Sequence, residues 1–233
     1  MSPSNSFARG PSRRSSRASG SLVDVRIVPM RPEHLDRVAA IEAETSSRPW
    51  SRELFAGELD AGQPYFVATF DRVQDAADLP LLPASLNGEI SGGVSELIGR
   101  LDDPVLGFIG VIQMADEAHI TNVAIDERFR RCGLATRMMI TAVKELRRRG
   151  VVDITLEVRA SNEPALSLYR AFGFAPEGVR VGYYADPRED ALILWVRNIN
   201  STRFGQRIEQ LEHRLESSDP TAQSTALMSP GAT

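Results

Sequence analysis

Seven residues between a strand-like and a helix-like segment have the composition of an anion-binding loop. They run from Arg130 to Thr136 with the sequence RRCGLAT, shortly after the strand-like NVAID. The first amides of a helix have no partner within it and lie at the positive end of its dipole, where a phosphate can bind. Gly133 lets the backbone approach an anion, and Arg130 and Arg131 add charged donors. We therefore expect a pyrophosphate site here, although such residues also occur in ordinary helix caps.

Other anion- and metal-binding modes are disfavoured by residue types that the sequence lacks. The loop has neither the lysine of the P-loop nor the further glycines of G-x-G-x-x-G. Cys132 is the only cysteine, which excludes an internal disulfide and a cysteine-based zinc site. A low-pKa thiolate at Cys132 is an alternative, but no histidine is near it in sequence to activate it. The scattered His34, His119 and His213 give no metal pattern, and we expect His119 to be an ordinary strand residue.

The composition is that of one globular domain with tails. The chain has 233 residues, 42% of them hydrophobic and 25% charged, with a net charge of −4. This charge gives no general attraction to nucleic acid or to an anionic membrane. The sequence contains no run of 18 apolar residues, so no membrane-spanning helix is predicted. We expect a cytoplasmic protein. Residues 1–21 contain four arginines among serines and no acid, so they are a basic disordered tail or, as the alternative, an organellar transit peptide.

The apolar periodicity predicts alternating strands and helices from residue 22 to about 200. Strands are predicted at Val23–Pro29, Tyr65–Phe70, Val105–Met114, Ala118–Ile125, Val151–Val158, Tyr183–Tyr184 and Ala191–Val196, and helices at Arg31–Glu44, from Ser51, at Leu134–Arg148 and at Pro164–Phe172. Residues 72–104 break the pattern and are predicted to be a loop insertion. Residues 201–217 are predicted to form an appended amphipathic helix that docks on its own domain or binds a partner, and residues 218–233 are predicted to be a disordered tail.

Several segments together resemble the GCN5-related N-acetyltransferases. The R-x-x-G-x-A of Arg130, Gly133 and Ala135 resembles the acetyl-CoA signature of that family. The segments LEVRASNEPALSLYRAFGF, GYYADPREDALIL and RPWSRELF are similar to its ribosomal-protein-alanine N-acetyltransferase branch. The resemblance covers roughly residues 23–197. It implies an α/β (α+β) fold with a mixed, mostly antiparallel central sheet flanked by helices, in a domain of residues 22–200 that uses acetyl-CoA and no metal.

The resemblance also implies the residues that hold acetyl-CoA. Strand backbone at Val123, Ala124 and Ile125 would pair with the two amides of the pantetheine arm. The pyrophosphate would be wrapped by Arg130, Arg131, Cys132, Gly133, Leu134, Ala135 and Thr136. Asn162 matches a cofactor-contacting asparagine of the family, although an asparagine here is equally suited to cap the helix that follows.

The same resemblance implies a base, an acid and an acceptor groove. A peptide α-amine with a pKa near about 8 is mostly protonated at neutral pH, so a base must take its proton. Glu157 matches the family's base, the alternative being a glutamate that strand alternation points into solvent. Tyr169 matches the acid that protonates the CoA thiolate, the alternative being a core aromatic. Pro49, Trp50, Tyr183 and Tyr184 would line the acceptor groove, or else pack beneath the loops.

The expected function is acetyl-CoA-dependent acetylation of a protein N-terminus by direct attack of the amine on the thioester. The branch implies the N-terminal alanine of a small-subunit ribosomal protein as acceptor. The alternatives are a broader N-terminal or lysine acetyltransferase, a non-catalytic acetyl-CoA-binding sensor or assembly module, and a ribosome-associated structural protein. The sequence does not predict the oligomeric state.

Overall fold

The computed structural model describes residues 25–70 and 105–217. The predictions for residues 1–21, 72–104 and 218–233 lie outside these ranges. Within them, seven strands form one sheet in the order β1-β2-β3-β4-β5-β7-β6, and only β4 and β5 pair in parallel. The strands are β1 Val25–Pro29, β2 Phe66–Phe70, β3 Val105–Met114, β4 Glu117–Ile125, β5 Asp153–Arg159, β6 Ala175–Ala185 and β7 Arg188–Val196. The predicted mixed, mostly antiparallel sheet is confirmed.

Helices cover both faces of this sheet. They are α1 Leu35–Thr45, α2 Arg52–Asp60, α3 Leu134–Arg148, α4 Glu163–Phe172 and α5 Thr202–Ser217. One buried cluster joins α3, α4 and α5 to the sheet, and a second joins α1 and α2 to its other face. Successive residues of a strand point to opposite faces of the sheet, and in β2 Ala68 belongs to the first cluster and Val67 to the second.

The helix signals in the sequence correspond to physical contacts. Ser51 caps α2 by accepting a hydrogen bond from the Leu54 amide at 3.3 Å. The predicted bounds of α3 are those observed, and Met138, Met139 and Leu146 are fully buried along one side of it. The strong amphipathic period of this segment explains why its position was predictable.

Helix α5 docks on its own domain. Phe204, Ile208 and Leu211 are buried in the cluster formed with α3 and α4, and Glu212 forms an ion pair with Lys144 of α3. The division of the chain into tails, a domain of residues 22–200 and an appended segment stays a prediction. No helix within residues 25–70 and 105–217 has the length and apolar character needed to cross a membrane.

Candidate active site

The two parallel strands at the centre of the sheet separate halfway along their length. They pair from Glu117 opposite Asp153 to Ile120 opposite Leu156. β4 then continues to residue 125 and β5 to residue 159, and in the described structure these ends do not pair with each other. The opening exposes backbone N–H and C=O groups of β4 to an extended ligand, which can bind there as an added strand does.

A β-bulge in β4 lies where the separation begins. Gly110 pairs with Asn122 but the next residue pairs with Ile120, so Thr121 is the extra residue of β4. The Tyr65 hydroxyl lies 3.3 Å from the Thr121 hydroxyl. A Cβ at Gly110 would lie 2.2 Å from Cε1 of the Tyr65 ring, so glycine is required for this contact. Burial raises the pKa of Tyr65 to about 12, which keeps its hydroxyl protonated.

The residues predicted to hold acetyl-CoA lie along this opening and the loop after it. Val123, Ala124 and Ile125 are on the unpaired end of β4. Arg131 and Gly133 both have left-handed backbone, with φ of 67° and 80°. Gly133 is the N-cap of α3 and has no side chain that could cap the helix. The amides at the start of α3 therefore suit an anion, as the sequence indicated.

The side chains of the loop differ in what they contact. Arg130 and Arg131 are exposed, and Arg130 Nε donates to the Ile125 carbonyl at 3.3 Å. Leu134 is buried in the core, whereas Ala135 and Thr136 are half-buried. A Cβ at Gly133 would lie 3.0 Å from Cδ2 of Leu215 in α5. A side chain at position 133 would thus press against α5, a contact that the sequence did not indicate.

The suggestion of a low-pKa thiolate at Cys132 is wrong. Burial raises the pKa of the thiol, and nearby backbone hydrogen bonds offset this only in part. Its Sγ donates to the Phe129 carbonyl at 2.6 Å. A protonated thiol of this kind is a poor nucleophile.

Glu157 lies on β5 just beyond the last residue that pairs with β4. Its neighbours Leu156 and Val158 point into the cluster beneath α3 and α4, so Glu157 points to the opposite face. Only 11% of its side chain is exposed, so the alternative that it points freely into solvent is wrong. Its Oε2 lies 2.5 Å from Nε2 of His119, and its Oε1 lies 2.9 Å from a terminal nitrogen of Arg180.

Neither of these contacts was predicted from the sequence. His119 was expected to be an ordinary strand residue, yet it lies on the face of β4 from which it can reach Glu157. His119 pairs with Thr155, two residues before Glu157 on the same face of β5. The contact between His119 and Glu157 can therefore be inferred only once the register of β4 and β5 is known. Arg180 on β6 gives no sequence signal that separates it from other exposed arginines.

Tyr169 lies on α4, in the cluster on the other face of the sheet. It is 7% exposed, and its ring centroid lies 5.8 Å from that of Phe174. Burial raises the pKa of its phenol well above the ordinary value, with a smaller contribution from Tyr184. The hydroxyl is therefore protonated at neutral pH and can act as a proton donor. The core role and the donor role are compatible.

The residues predicted to line an acceptor groove have different environments. Pro49 is exposed, whereas Trp50 is half-buried with its ring centroid 5.5 Å from that of Phe55. Tyr183 and Tyr184 meet edge to face at 5.1 Å, and Tyr183 is 46% exposed. Trp50 therefore has a packing role, and the groove itself stays a prediction.

Arg159, which the sequence analysis did not single out, connects the two segments that carry these residues. Its guanidinium lies 4.1 Å from the centroid of the Tyr184 ring. It donates to the Ser47 hydroxyl at 3.0 Å and to the Asp186 carbonyl at 2.9 Å. The connection between α1 and α2 is thereby joined to the β6–β7 turn.

Glu42 of α1 is a second carboxyl group on this face and is 4% exposed. It accepts a hydrogen bond from the Asn122 side-chain amide at 3.2 Å. Burial raises its pKa, and hydrogen bonds from the Trp50 backbone amide and from Asn122 oppose that rise. These contacts fix the connection after α1 against the open end of β4.

Asn162 caps α4 by accepting a hydrogen bond from the Ala165 amide at 3.2 Å. Its contact with the cofactor stays a prediction. Among the residues that the structure describes, no group of three or more histidine, cysteine, aspartate or glutamate side chains could hold a metal ion.

Comparison with known proteins identifies the family. Residues 41–174 match the Acetyltransferase (GNAT) family. A Bacillus subtilis (strain 168) protein, provisionally named a ribosomal protein bS18-alanine N-acetyltransferase, is 33% identical over 167 residues, which are 72% of this chain and 91% of that protein. The Salmonella typhimurium (strain LT2) protein named for the same activity is 41% identical over 95 residues, which are 40% of this chain and 64% of that protein.

A solved structure extends the similarity to the fold. The crystal structure of the ribosomal-protein-S18-alanine N-acetyltransferase from Escherichia coli matches with a TM-score of 0.57 and 26% identity. The match covers 75% of this chain and 94% of that one. The chain belongs to the GNAT family and is an N-acetyltransferase.

Proposed function

We propose that this enzyme transfers the acetyl group of acetyl-CoA to the α-amine of a protein N-terminus, most specifically the N-terminal alanine of ribosomal protein bS18. The relatives named for that reaction support the acceptor. The observation that carries the chemistry is a nearly buried carboxylate, Glu157, at the separation of β4 and β5. Tyr169 lies on α4, in the buried cluster on the other face of the sheet.

The residues present fit acetyl-CoA as the donor. The unpaired edge at Val123 to Ile125 can hydrogen-bond to the pantetheine amides, and the backbone amides at the start of α3 can bind the pyrophosphate. Arg130 and Arg131 are exposed beside it and supply positive charge. Acetyl-CoA supplies the activated acyl group as a thioester.

Glu157 acts as the base in this proposal. An α-amine with a pKa near about 8 arrives mostly as an ammonium, which binds a carboxylate and then loses a proton to it. His119 holds the other carboxylate oxygen and is 31% exposed, so it can pass that proton on to water. The neutral amine then attacks the thioester carbonyl.

Tyr169 acts as the acid. As the carbon–sulfur bond breaks, negative charge develops on the sulfur, and a phenol can donate its proton there. The raised pKa of Tyr169 ensures that the proton is present at neutral pH. The proposal uses no cysteine intermediate, because burial raises the pKa of the Cys132 thiol and makes it a poorer nucleophile.

Mass spectrometry of acetyl transfer to short peptides that differ in their first residue tests the proposal. We expect transfer to the α-amine of an alanine-starting peptide with the bS18 sequence. In Glu157→Gln we expect kcat to fall by about 10²- to 10⁴-fold while acetyl-CoA affinity is retained. Tyr169→Phe should also lower kcat, and Glu209→Gln, on the exposed side of α5, is the matched control.

Three results would contradict the proposal. Transfer to lysine side chains alone would indicate a different acetyltransferase. Acetyl-CoA binding without transfer to any peptide would favour a sensor. Full activity of Glu157→Gln would remove Glu157 from the chemistry.

A further inference from the structure

The carboxylate proposed as the base is already paired with a cation. Glu157 Oε1 lies 2.9 Å from a guanidinium nitrogen of Arg180, while His119 holds Oε2. Glu157 is 11% exposed and Arg180 is 54% exposed, so the guanidinium reaches the carboxylate from the solvent side. An acceptor amine must come from that side too. Arg180 therefore occupies the approach to Glu157.

Arg180 lies at an irregular point in the pairing of β6 with its neighbour. β6 is the edge strand of the sheet, and its register with β7 shifts between Arg180 and Tyr184. From Arg180 to Tyr184 β6 advances four residues while β7 advances only two, so β6 bulges there. Gly182, within this bulge, has a left-handed φ of 62°. The Arg180 guanidinium also lies 5.6 Å from the centroid of the Tyr183 ring. The side chain thus already contacts an exposed ring, which can hold the guanidinium when it leaves the carboxylate.

We propose that Arg180 is an internal competitor for the acceptor's α-ammonium group. In the acceptor-free enzyme the guanidinium neutralises Glu157. An arriving ammonium replaces it, and Arg180 moves onto Tyr183. One cation is exchanged for another, so the nearly buried carboxylate is never left without a counter-charge, which would be costly. This inference rests on the proposed function, since it assigns the acceptor to Glu157.

The exchange also favours release of the product. Acetylation converts the ammonium into a neutral amide, which cannot neutralise Glu157. The guanidinium can then return to Oε1 and displace the acetylated N-terminus. Arg180 thereby discriminates in favour of cationic N-termini over neutral ones, including the enzyme's own product.

Steady-state kinetics of Arg180→Gln and Arg180→Lys test this role with the alanine-starting peptide as acceptor. An exposed ion pair is weak, so loss of the competitor in Arg180→Gln should lower the acceptor KM by about two- to fivefold. The N-acetylated peptide should inhibit Arg180→Gln more strongly than the wild type. Arg180→Lys retains the charge and should resemble the wild type in both measurements.

The control is Arg148→Gln, which removes an exposed arginine paired with Glu145 at 2.7 Å at the far end of α3. It should change neither constant. An acceptor KM that rises or stays unchanged in Arg180→Gln would overturn the inference, as would equal product inhibition in the wild type and Arg180→Gln. These outcomes require a wild type that acetylates the peptide. A wild type without transfer would instead refute the proposed function, and this inference with it.

Discussion

The substitution Asp126→Asn tests how the open end of β4 is fixed to the rest of the enzyme. Asp126 follows β4 directly and is 2% exposed. Its Oδ1 accepts hydrogen bonds from the Arg128 backbone amide at 3.0 Å and from Arg128 Nε at 2.9 Å. Its Oδ2 is bonded to Arg37 of α1, which is 15% exposed. One carboxylate thus joins α1 to the segment between β4 and the phosphate loop.

The expected cost follows from the burial of these groups. Asparagine keeps the shape but leaves the mostly buried Arg37 with only the exposed Glu44, 3.7 Å away, as a counter-charge, and breaking a buried ion pair costs about 3–5 kcal/mol. Arg128 is 36% exposed and can turn to water, so we expect the lower end, about 3 kcal/mol. For a domain of this size that loss lowers Tm by about 6–12 °C. Thermal and urea unfolding at pH 7 measure it.

The pH dependence gives an independent check. Burial pushes the pKa of Asp126 up, but the hydrogen bonds and charge of Arg128 and the charge of Arg37 outweigh it and hold the pKa below its usual value. A carboxylate of this kind stabilises the fold fully above its unfolded pKa of about 3.9 and loses that effect as the pH falls through the folded pKa. The difference between wild type and Asp126→Asn should be constant from pH 7 to pH 5 and shrink below about pH 4.

The control for this prediction is Asp36→Asn. Asp36 pairs with Arg52 at 2.6 Å but is 82% exposed, so its removal should cost no more than about 1 kcal/mol. Equal losses in the two variants at pH 7 would refute the reasoning from burial. So would a difference for Asp126→Asn that grows as the pH falls below 4.

Three further changes test other contacts around the site. Gly110→Ala forces the Tyr65 ring away, and urea unfolding should show a loss of about 1–3 kcal/mol together with reduced kcat; unchanged stability would contradict the close approach. Ile208→Ala should cost about 2–5 kcal/mol by the same measurement, because Ile208 anchors α5 and is 2% exposed; a negligible loss would mean that α5 is not docked. Arg159→Lys should raise the acceptor KM more than it changes kcat, because lysine cannot replace the planar contacts to Ser47 and Tyr184; an unchanged KM would contradict this positioning role.

Much of the fold could be predicted from local patterns. The α3 segment combines a strong apolar period with a glycine before it and arginines at its end, and its predicted bounds are the observed ones. Ser51 and Asn162 cap the helices that follow them, as their residue types favour. β5 was predicted two residues early at its start, because Val151 and Val152 are apolar yet precede the paired residues. Such signals are local, so one sequence is enough to find them.

The contacts that define the chemistry could not be predicted in this way. His119 and Glu157 are 38 residues apart in the chain. They meet only because β4 and β5, which precede and follow α3 in sequence, pair in parallel in the sheet. Arg159 reaches Ser47 across 112 residues, and neither residue type indicates a partner. Tyr65, the residue before β2, fills the space above Gly110 of β3 and contacts the bulge residue Thr121. Each of these contacts requires the register of the whole sheet.

In the proposed mechanism, the separation of β4 and β5 lets a base and an acid serve one reaction without hydrogen-bonding to each other. Glu157 lies on the face covered by α1 and α2, and Tyr169 belongs to the cluster beneath α3 and α4. On one face a carboxylate and a phenol would hydrogen-bond to each other, and neither would be free for the substrate. The sheet keeps them apart except where the two strands separate. In the proposed mechanism the thioester lies in that opening, with its carbonyl toward an amine held by Glu157 and its sulfur toward Tyr169.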